Sequence, residues 1–210
     1  LSLADLYAKQ GQTARELRQV EEYQRRYAKD PDEWLAMQHR LAKGYEKAGN
    51  ATMARRLYAQ GLDYWKRRKS AVKDRGLAVA AQGMYDELEP AFAEYARITL
   101  NVAPKNLKGQ LQVKGTKLKK LEEAYRQVVK LKQAEPAICA LYKIGLAYRH
   151  FAQTLFAAPI PKELRRDPEL VQEYKAQLAQ VAEPLDQKAF EGLGLAVDAS
   201  RDYGVVNDCA

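Results

Sequence analysis

The chain has 210 residues, enough for one sizeable core or for a row of repeated units that each pack against their neighbours. Its wealth of Ala, Leu, Lys, Arg, Glu and Gln, with few Ile or Val, favours helix and leaves little material for strands. The net charge of +8 comes from 35 basic and 27 acidic residues that are interspersed, which excludes a polycation, and no apolar run is long enough to cross a bilayer.

A pattern at the start of the chain recurs 38 residues later. The residues Leu-Ala-x-x-Tyr-x-Lys-x-Gly at 3–11 return at 41–49, which indicates an internal repeat. We predict that the helix after the first copy begins with a capping box, Thr13 and Glu16. The next helix begins with Asp30 as its cap and Pro31 at its first position.

The second copy of the pattern predicts a pair of antiparallel helices joined by a tight turn. Asn50 can cap the second helix of the pair, and Tyr58 packs on its apolar stripe. Four cations at 66–69 end this helix, where they suit the negative end of the helix dipole. The alternative for these cations is a patch that binds nucleic acid or phosphate.

The repeat pattern weakens between 70 and 120. Gly76, Gly83 and Pro90 disturb the helical pattern, so we expect a degenerate unit with long helices and a loop over 101–106. A long helix follows, and its lysines are expected to form a solvated face. These lysines are Lys108, Lys114, Lys117, Lys119 and Lys120.

The helical pattern resumes in the last third of the chain. Gly145 lies where we expect two helix backbones to cross closely. Asp167 as a cap and Pro168 in the first turn begin a long amphipathic helix that Pro184 should bend. The tail from Asp202 is expected to form a turn followed by frayed or cut-off sequence. Since Leu1 falls inside a repeat, we expect the chain to be a piece of a longer protein.

The two cysteines, Cys139 and Cys209, lie 70 positions apart and form no CxxC motif. Two separate thiols are the simpler interpretation. A disulfide that closes a long loop is the alternative if the compartment is oxidising.

These patterns resemble the tetratricopeptide repeat (TPR), whose small, aromatic and turn positions match seven residues of the second copy of the repeat. They are Leu41, Ala42, Tyr45, Gly49, Ala54, Tyr58 and Gly61. The resemblance implies an all-α, TPR-like α-solenoid of antiparallel helix pairs, with elongated helices in the C-terminal half. One domain, 1–210, would hold two regular repeats at 1–69, a degenerate unit and basic helix at 70–120, and a repeat with long helices at 121–210.

The second half of the chain resembles the TPR proteins of the myxobacterial and deltaproteobacterial adventurous gliding motility envelope complex. The likeness runs from about Leu77 to Val206 and is carried by 121–129, 140–145, 151–153, 158–161 and 183–185. It implies a periplasmic, non-enzymatic scaffold that binds other proteins. A cytoplasmic TPR adaptor and a basic helical nucleic-acid-binding protein are the alternatives.

The TPR resemblance also implies a concave groove lined by the first helix of each pair. Nine residues fall on or near it: Lys9, His39, Arg40, Lys43, Lys47, Tyr142, Lys143, Arg149 and His150. Most are basic, so the predicted partners carry acidic segments or a C-terminal carboxylate. Alternatively, they are ordinary solvated helix residues.

The sequence offers little for catalysis or metal binding. His39 and His150 are the two histidines, and neither has a metal-site partner at helical spacing. We expect both to lie on the surface or in the groove without a ligand. We therefore predict no catalytic residues, no cofactor, no metal and no small-molecule substrate.

Overall fold

The computed structural model describes residues 2–102 and 104–209, and in these ranges the regular structure is helical, with no strand. The prediction of an all-α protein is confirmed, whereas the TPR-like solenoid stays a prediction. Within these ranges there are eight α-helices: α1 Ser2–Lys9, α2 Thr13–Arg26, α3 Pro31–Lys47, α4 Ala51–Arg68, α5 Asp74–Ala96, α6 Pro104–Lys130, α7 Ala134–Phe156 and α8 Pro168–Tyr203. A short 3₁₀ turn, Lys69–Ala71, follows α4.

The helices group into two compact units, Leu1–Glu87 and Leu88–Ala210, with the boundary inside α5. In unit 1, α1 packs on α2, α2 on α3 and α3 on α4. In unit 2, α7 packs on both α6 and α8. The predicted organisation as a single solenoid domain stays a prediction.

The 38-residue repeat has a counterpart in the turns that end α1 and α3. Gly11 and Gly49 adopt φ values of +69° and +76°, which glycine tolerates best. In each turn the residue after the glycine donates its N–H to the carbonyl of the repeat tyrosine, Tyr7 or Tyr45, over distances of 2.9 and 2.8 Å. This is the Schellman geometry, and it allows the next helix to turn back on the previous one.

Close helix contacts in unit 1 use glycines of α3, α4 and α5. A Cβ added to Gly44 would lie 2.5 Å from a methyl of Leu17, and one added to Gly61 would lie 2.5 Å from a methyl of Val79. At Gly83 the added atom would meet the Tyr58 carbonyl oxygen at 2.8 Å. These helices therefore approach to distances that a larger residue would prevent.

Three of the predicted helix caps are confirmed. Asp30, Asn50 and Asp167 accept hydrogen bonds from main-chain N–H groups in the first turns of α3, α4 and α8. The predicted capping box of α2 is wrong, because Gln12 occupies the N-cap without a side-chain bond. Glu16 instead binds Arg40, a contact 24 residues away that the local pattern does not reveal.

The N-terminus of α5 is capped by a carboxylate from α3. Asp32, in the first turn of α3, is 6% exposed and accepts the N–H groups of Lys73 and Gly76 at 2.8 and 2.9 Å. α5 then runs through Pro90 without ending. The predicted loop at 101–106 is partly wrong because α6 begins at Pro104; Ala103 lies outside the described residues.

Unit 2 is built on the close packing of α7 and α8. A Cβ added to Gly145 would lie 2.8 Å from the Leu193 backbone nitrogen, and one added to Gly192 would lie 2.9 Å from the Cα of Gly145. The predicted backbone crossing at Gly145 is confirmed. The buried face of α8 is lined by small residues: Ala182, Ala189, Gly192, Ala196 and Ser200.

A disulfide joins Cys139 of α7 to Cys209, with Cα atoms 5.0 Å apart. The interpretation as two separate thiols is therefore wrong. The expectation of a frayed tail is wrong as well, because Ser200 donates its hydroxyl to the Val205 carbonyl and the Cys209 N–H binds the Asn207 side chain. The disulfide holds the segment after α8 against the N-terminal part of α7.

Candidate functional site

The predicted groove residue Arg40 of α3 is bound by carboxylates from two other helices. Its guanidinium donates to Glu16 of α2 over 2.9 and 3.0 Å and to Asp5 of α1 over 2.7 Å. Its side chain is 26% exposed and the Glu16 side chain is 17% exposed. Arg40 thus holds three helices of unit 1 together, and its charge is largely neutralised from within the chain.

The other predicted groove residues of unit 1 differ in how available they are. Lys43 forms an ion pair with Glu46 at 3.3 Å, and the His39 ring lies 6.2 Å from the ring of buried Tyr58. Lys9 and Lys47 are exposed at the last turns of α1 and α3, where their charges oppose the negative helix ends. Of the five predicted groove residues in unit 1, these two lysines are the exposed ones.

Four predicted groove residues lie in unit 2, on α7. Lys143 binds the Glu89 carboxylate at 2.8 Å and lies 4.5 Å from the ring centre of Phe92. Tyr142 is half-buried and Arg149 is exposed. The structure therefore divides the nine residues into two sets, five in unit 1 and four in unit 2.

His150 belongs to a buried polar cluster that the sequence analysis missed. Lys114 of α6 has no exposed surface, and its Nζ lies 3.0 Å from His150 Nδ1. An ammonium can only donate, so Nδ1 accepts and the proton of the neutral imidazole lies on Nε2. His150 is thus a partner of Lys114, and the prediction of a solvated face is wrong for this lysine.

The ammonium of Lys114 caps the carbonyl end of α5. It donates to the Ile98 carbonyl at 2.7 Å and to the Tyr95 carbonyl at 3.4 Å, and it lies 4.4 Å from the centre of the Tyr95 ring. The dipole of α5 and the aromatic face both favour a positive charge here. The Tyr95 hydroxyl donates to the Ala147 carbonyl at 2.6 Å, which joins α5 to α7.

Burial shifts both titrating groups of this cluster. Desolvation lowers the pKa of Lys114 to about 8. The pKa of His150 is lowered by burial and by the Lys114 charge, against a hydrogen bond with the Ala96 backbone that raises it. Since Lys114 has no exposed surface, its amine cannot meet a substrate, and its role is to hold α5, α6 and α7 together.

A signal for Lys114 was present in the sequence. Leu111, Leu118 and Leu121 lie at helical spacing around it, so Lys114 occupies a position on the apolar stripe of α6. What the sequence could not supply is the partner, because His150 lies 36 residues further along. A lysine on the apolar stripe of a predicted helix is therefore the sequence feature that indicates a buried cation.

A cavity of about 120 Å³ lies among α6, α7 and α8. Glu122 accepts from the Tyr148 hydroxyl at 2.6 Å and from Arg126 at 2.7 Å, and Lys188 lies 5.3 Å from the Tyr148 ring centre. Burial raises the pKa of Glu122, but the hydrogen bonds outweigh it and hold this pKa below its usual value. The Glu122 carboxylate is thus already bound within the chain, by Tyr148 and Arg126.

No known family model, curated protein or solved structure matches this chain. The resemblances to the TPR and to the motility proteins therefore depend on the residues that carry them.

The four cations at 66–69 are mostly engaged within unit 1. Lys66 binds Glu87 at 3.2 Å, the Arg68 guanidinium lies 4.3 Å from the Tyr64 ring centre, and the Lys69 ammonium lies 4.6 Å from that of Trp65. The ion pair of Lys66 neutralises its charge, whereas the ring contacts of Arg68 and Lys69 hold their side chains without removing their charge.

The described residues form neither a metal-ligand cluster nor a membrane-spanning helix. Within 2–102 and 104–209, no three His, Cys, Asp or Glu side chains among those that the structure describes come together as possible metal ligands. No helix in these ranges is long and apolar enough to cross a membrane.

Proposed function

We propose that the chain is a non-enzymatic scaffold of TPR-like helix pairs that binds other proteins. The observation that carries this proposal is the repeated hairpin of unit 1. Two helix pairs, α1–α2 and α3–α4, are joined by turns of the same geometry at positions 38 residues apart. Repeated helix pairs present side chains of successive repeats on one surface, and such surfaces bind polypeptides.

The groove of unit 1 is the part of this scaffold to which we assign an acidic partner segment or C-terminal carboxylate. Lys9 and Lys47 carry the exposed charge, whereas Arg40 positions α1, α2 and α3. A carboxylate would gain charge-assisted hydrogen bonds from such lysines. No small-molecule substrate or cofactor is part of the proposal.

The compartment we propose is the periplasm, as part of an envelope complex of the gliding motility type, and the alternative is the cytoplasm. The disulfide between Cys139 and Cys209 supports this choice, since such bonds persist in oxidising compartments. Trapping of free thiols in intact cells would test it. Two oxidised cysteines agree with the proposal, and two reactive thiols contradict it.

The groove is tested by reversing charges that do not hold the fold. Lys9→Glu and Lys47→Glu should weaken binding of a peptide with acidic side chains and a free C-terminal carboxylate, by about tenfold together. Lys119→Glu/Lys120→Glu, at two exposed positions of α6 in unit 2, changes the charge by the same amount and should bind as the wild type does. Equal peptide affinities of the wild type, the Lys9→Glu/Lys47→Glu double variant and the control would contradict the groove hypothesis.

A nucleic-acid-binding protein is the second candidate, and one observation favours it. α6 carries exposed lysines that make no ion pair within the described residues: Lys108, Lys119, Lys120 and Lys130. Affinity for arbitrary duplex DNA that falls steeply from low to physiological salt would support this candidate. Absence of DNA binding at low salt would exclude it.

A further inference from the structure

Two phenylalanines of unit 2 are exposed to solvent beside an open cavity. Phe190 of α8 is 76% exposed and Phe156, the last residue of α7, is 57% exposed. Both line a cavity of about 270 Å³ together with Glu183, Asp186 and Gln187 of α8. We call these five residues the α8 cleft. Neighbouring aromatic side chains left in water on a folded surface indicate an interaction site.

The charge around the cleft is opposite to that of the whole chain. α8 carries seven carboxylates and three cations, a net charge of −4, whereas the chain carries +8. Glu183 and Asp186 are exposed, and neither makes an ion pair with any residue in the described ranges. The cleft therefore offers two free carboxylates next to two aromatic faces.

This combination selects one kind of ligand. The face of a phenylalanine ring attracts a cation, and the carboxylates can bind the same cation through charge-assisted hydrogen bonds. The long stem of a lysine or arginine can pack on the rings while its charged head reaches Glu183 or Asp186. An anionic lipid surface would be repelled by the same carboxylates.

We propose that the α8 cleft binds a lysine- or arginine-bearing amphipathic segment of another polypeptide. This surface is formed by residues of unit 2, and the partner we assign to it is opposite in charge to the partner assigned to the groove of unit 1. The inference does not depend on that groove, so loss of either site leaves the other to be measured.

The test uses the full chain and two fluorescent helical peptides, one built from Leu and Lys and the other from Leu and Glu at the same positions. We expect saturable binding of the Lys peptide at low salt and at least about tenfold weaker binding of the Glu peptide. Phe190→Ser and the double variant Glu183→Lys/Asp186→Lys should each weaken binding of the Lys peptide by about tenfold.

Two matched controls lie on the same helix outside the cleft. Val181→Ser removes an apolar side chain that is 53% exposed. Glu173→Lys/Asp202→Lys changes the charge of α8 by the same amount as the cleft variant. Both should bind the Lys peptide as the wild type does, and unchanged thermal unfolding of Phe190→Ser should show that its fold is intact.

Three outcomes would overturn the proposal. The cleft variants could bind the Lys peptide as tightly as the wild type, or the controls could lose as much affinity as the cleft variants do. Sedimentation could also show a dimer of the chain that Phe190→Ser dissociates, which would assign the cleft to a second copy.

Discussion

At the scale of single residues, several cations of this chain join helices to one another. Arg40 binds carboxylates from α1 and α2, and Lys143 binds one from α5. Lys114 binds the carbonyl end of α5 from within the core. A count of basic residues therefore overestimates the charge that the surface offers to an acidic partner or to nucleic acid.

The buried ammonium of Lys114 gives the first prediction. Its pKa in the folded chain is about 8, below the usual 10.5, so the unfolded chain binds the proton more readily between these values. The free energy of unfolding should therefore rise with pH above 8. Denaturant titrations from pH 8 to 9.5 should show a slope of up to about 1.4 kcal/mol per pH unit that Lys114→Met removes.

The control for this measurement is Lys119→Met, which changes an exposed lysine of the same helix. It should keep the slope of the wild type. A wild-type slope that survives in Lys114→Met would mean that another group causes it.

His150 gives the second prediction, on the acid side. The pKa of His150 is lowered in the folded chain, so the unfolded chain takes up the proton first as the pH falls below the usual 6.5. The wild type should lose stability there, and His150→Gln should lose less. Urea unfolding at pH 7 and pH 5 would measure the difference, and an equal loss in His150→Gln and the wild type would contradict this prediction.

At the scale of helices, the sequence predicted what depends on neighbours along the chain. Asp30, Asn50 and Asp167 cap the helices that follow them, because a cap needs only the next three residues. Asp32 illustrates what could not be predicted. It caps α5 from 41 residues away, and such a contact depends on how the helices pack.

The same distinction separates the candidate sites. The groove residues could be proposed from the TPR pattern, because that pattern assigns positions to faces of a helix. The buried cluster at Lys114 and the exposed pair Phe156 and Phe190 follow from packing among α5, α6, α7 and α8, which no single helix determines. Periodicity marks an apolar stripe, but it does not say which part of the stripe stays uncovered.

The crossing of α7 and α8 gives the third prediction. A Cβ at Gly145 would lie 2.8 Å from the Leu193 backbone nitrogen, so Gly145→Ala forces the helices apart. We expect a loss of about 1 to 3 kcal/mol in the free energy of unfolding. Gly194→Ala is the control, because an added Cβ there has nothing within 4 Å. It should be neutral or stabilising by up to about 1 kcal/mol, and chemical denaturation would compare the two.

At the scale of the whole molecule, the charge is unevenly distributed along the chain, and the disulfide lies in one of the two units. The basic surplus lies outside α8, whose net charge is −4, so attraction to an acidic partner and to a basic one can coexist in one chain. The disulfide lies entirely in unit 2 and closes a loop over 70 positions. Its stabilising effect therefore belongs to that unit.

The disulfide gives the fourth prediction. Removing it by Cys139→Ser/Cys209→Ser should lower the free energy of unfolding by about 2 to 4 kcal/mol, since a long loop is no longer closed in the unfolded chain. Thermal unfolding with and without reductant would measure this. The reductant should lower the unfolding temperature of the wild type and leave that of the double variant unchanged. An effect of equal size on both would show that the bond is not its target.

Two glycines of this chain separate the two costs of a Gly→Ala substitution, which are backbone strain and steric overlap with a neighbour. At Gly49 an added methyl has open space around it, so Gly49→Ala costs only the left-handed backbone dihedral, about 1 to 2 kcal/mol. At Gly61 the dihedral is ordinary and the methyl collides with Val79. A compensating Val79→Ala can therefore relieve the second substitution, whereas no trimming of a neighbour can relieve the first.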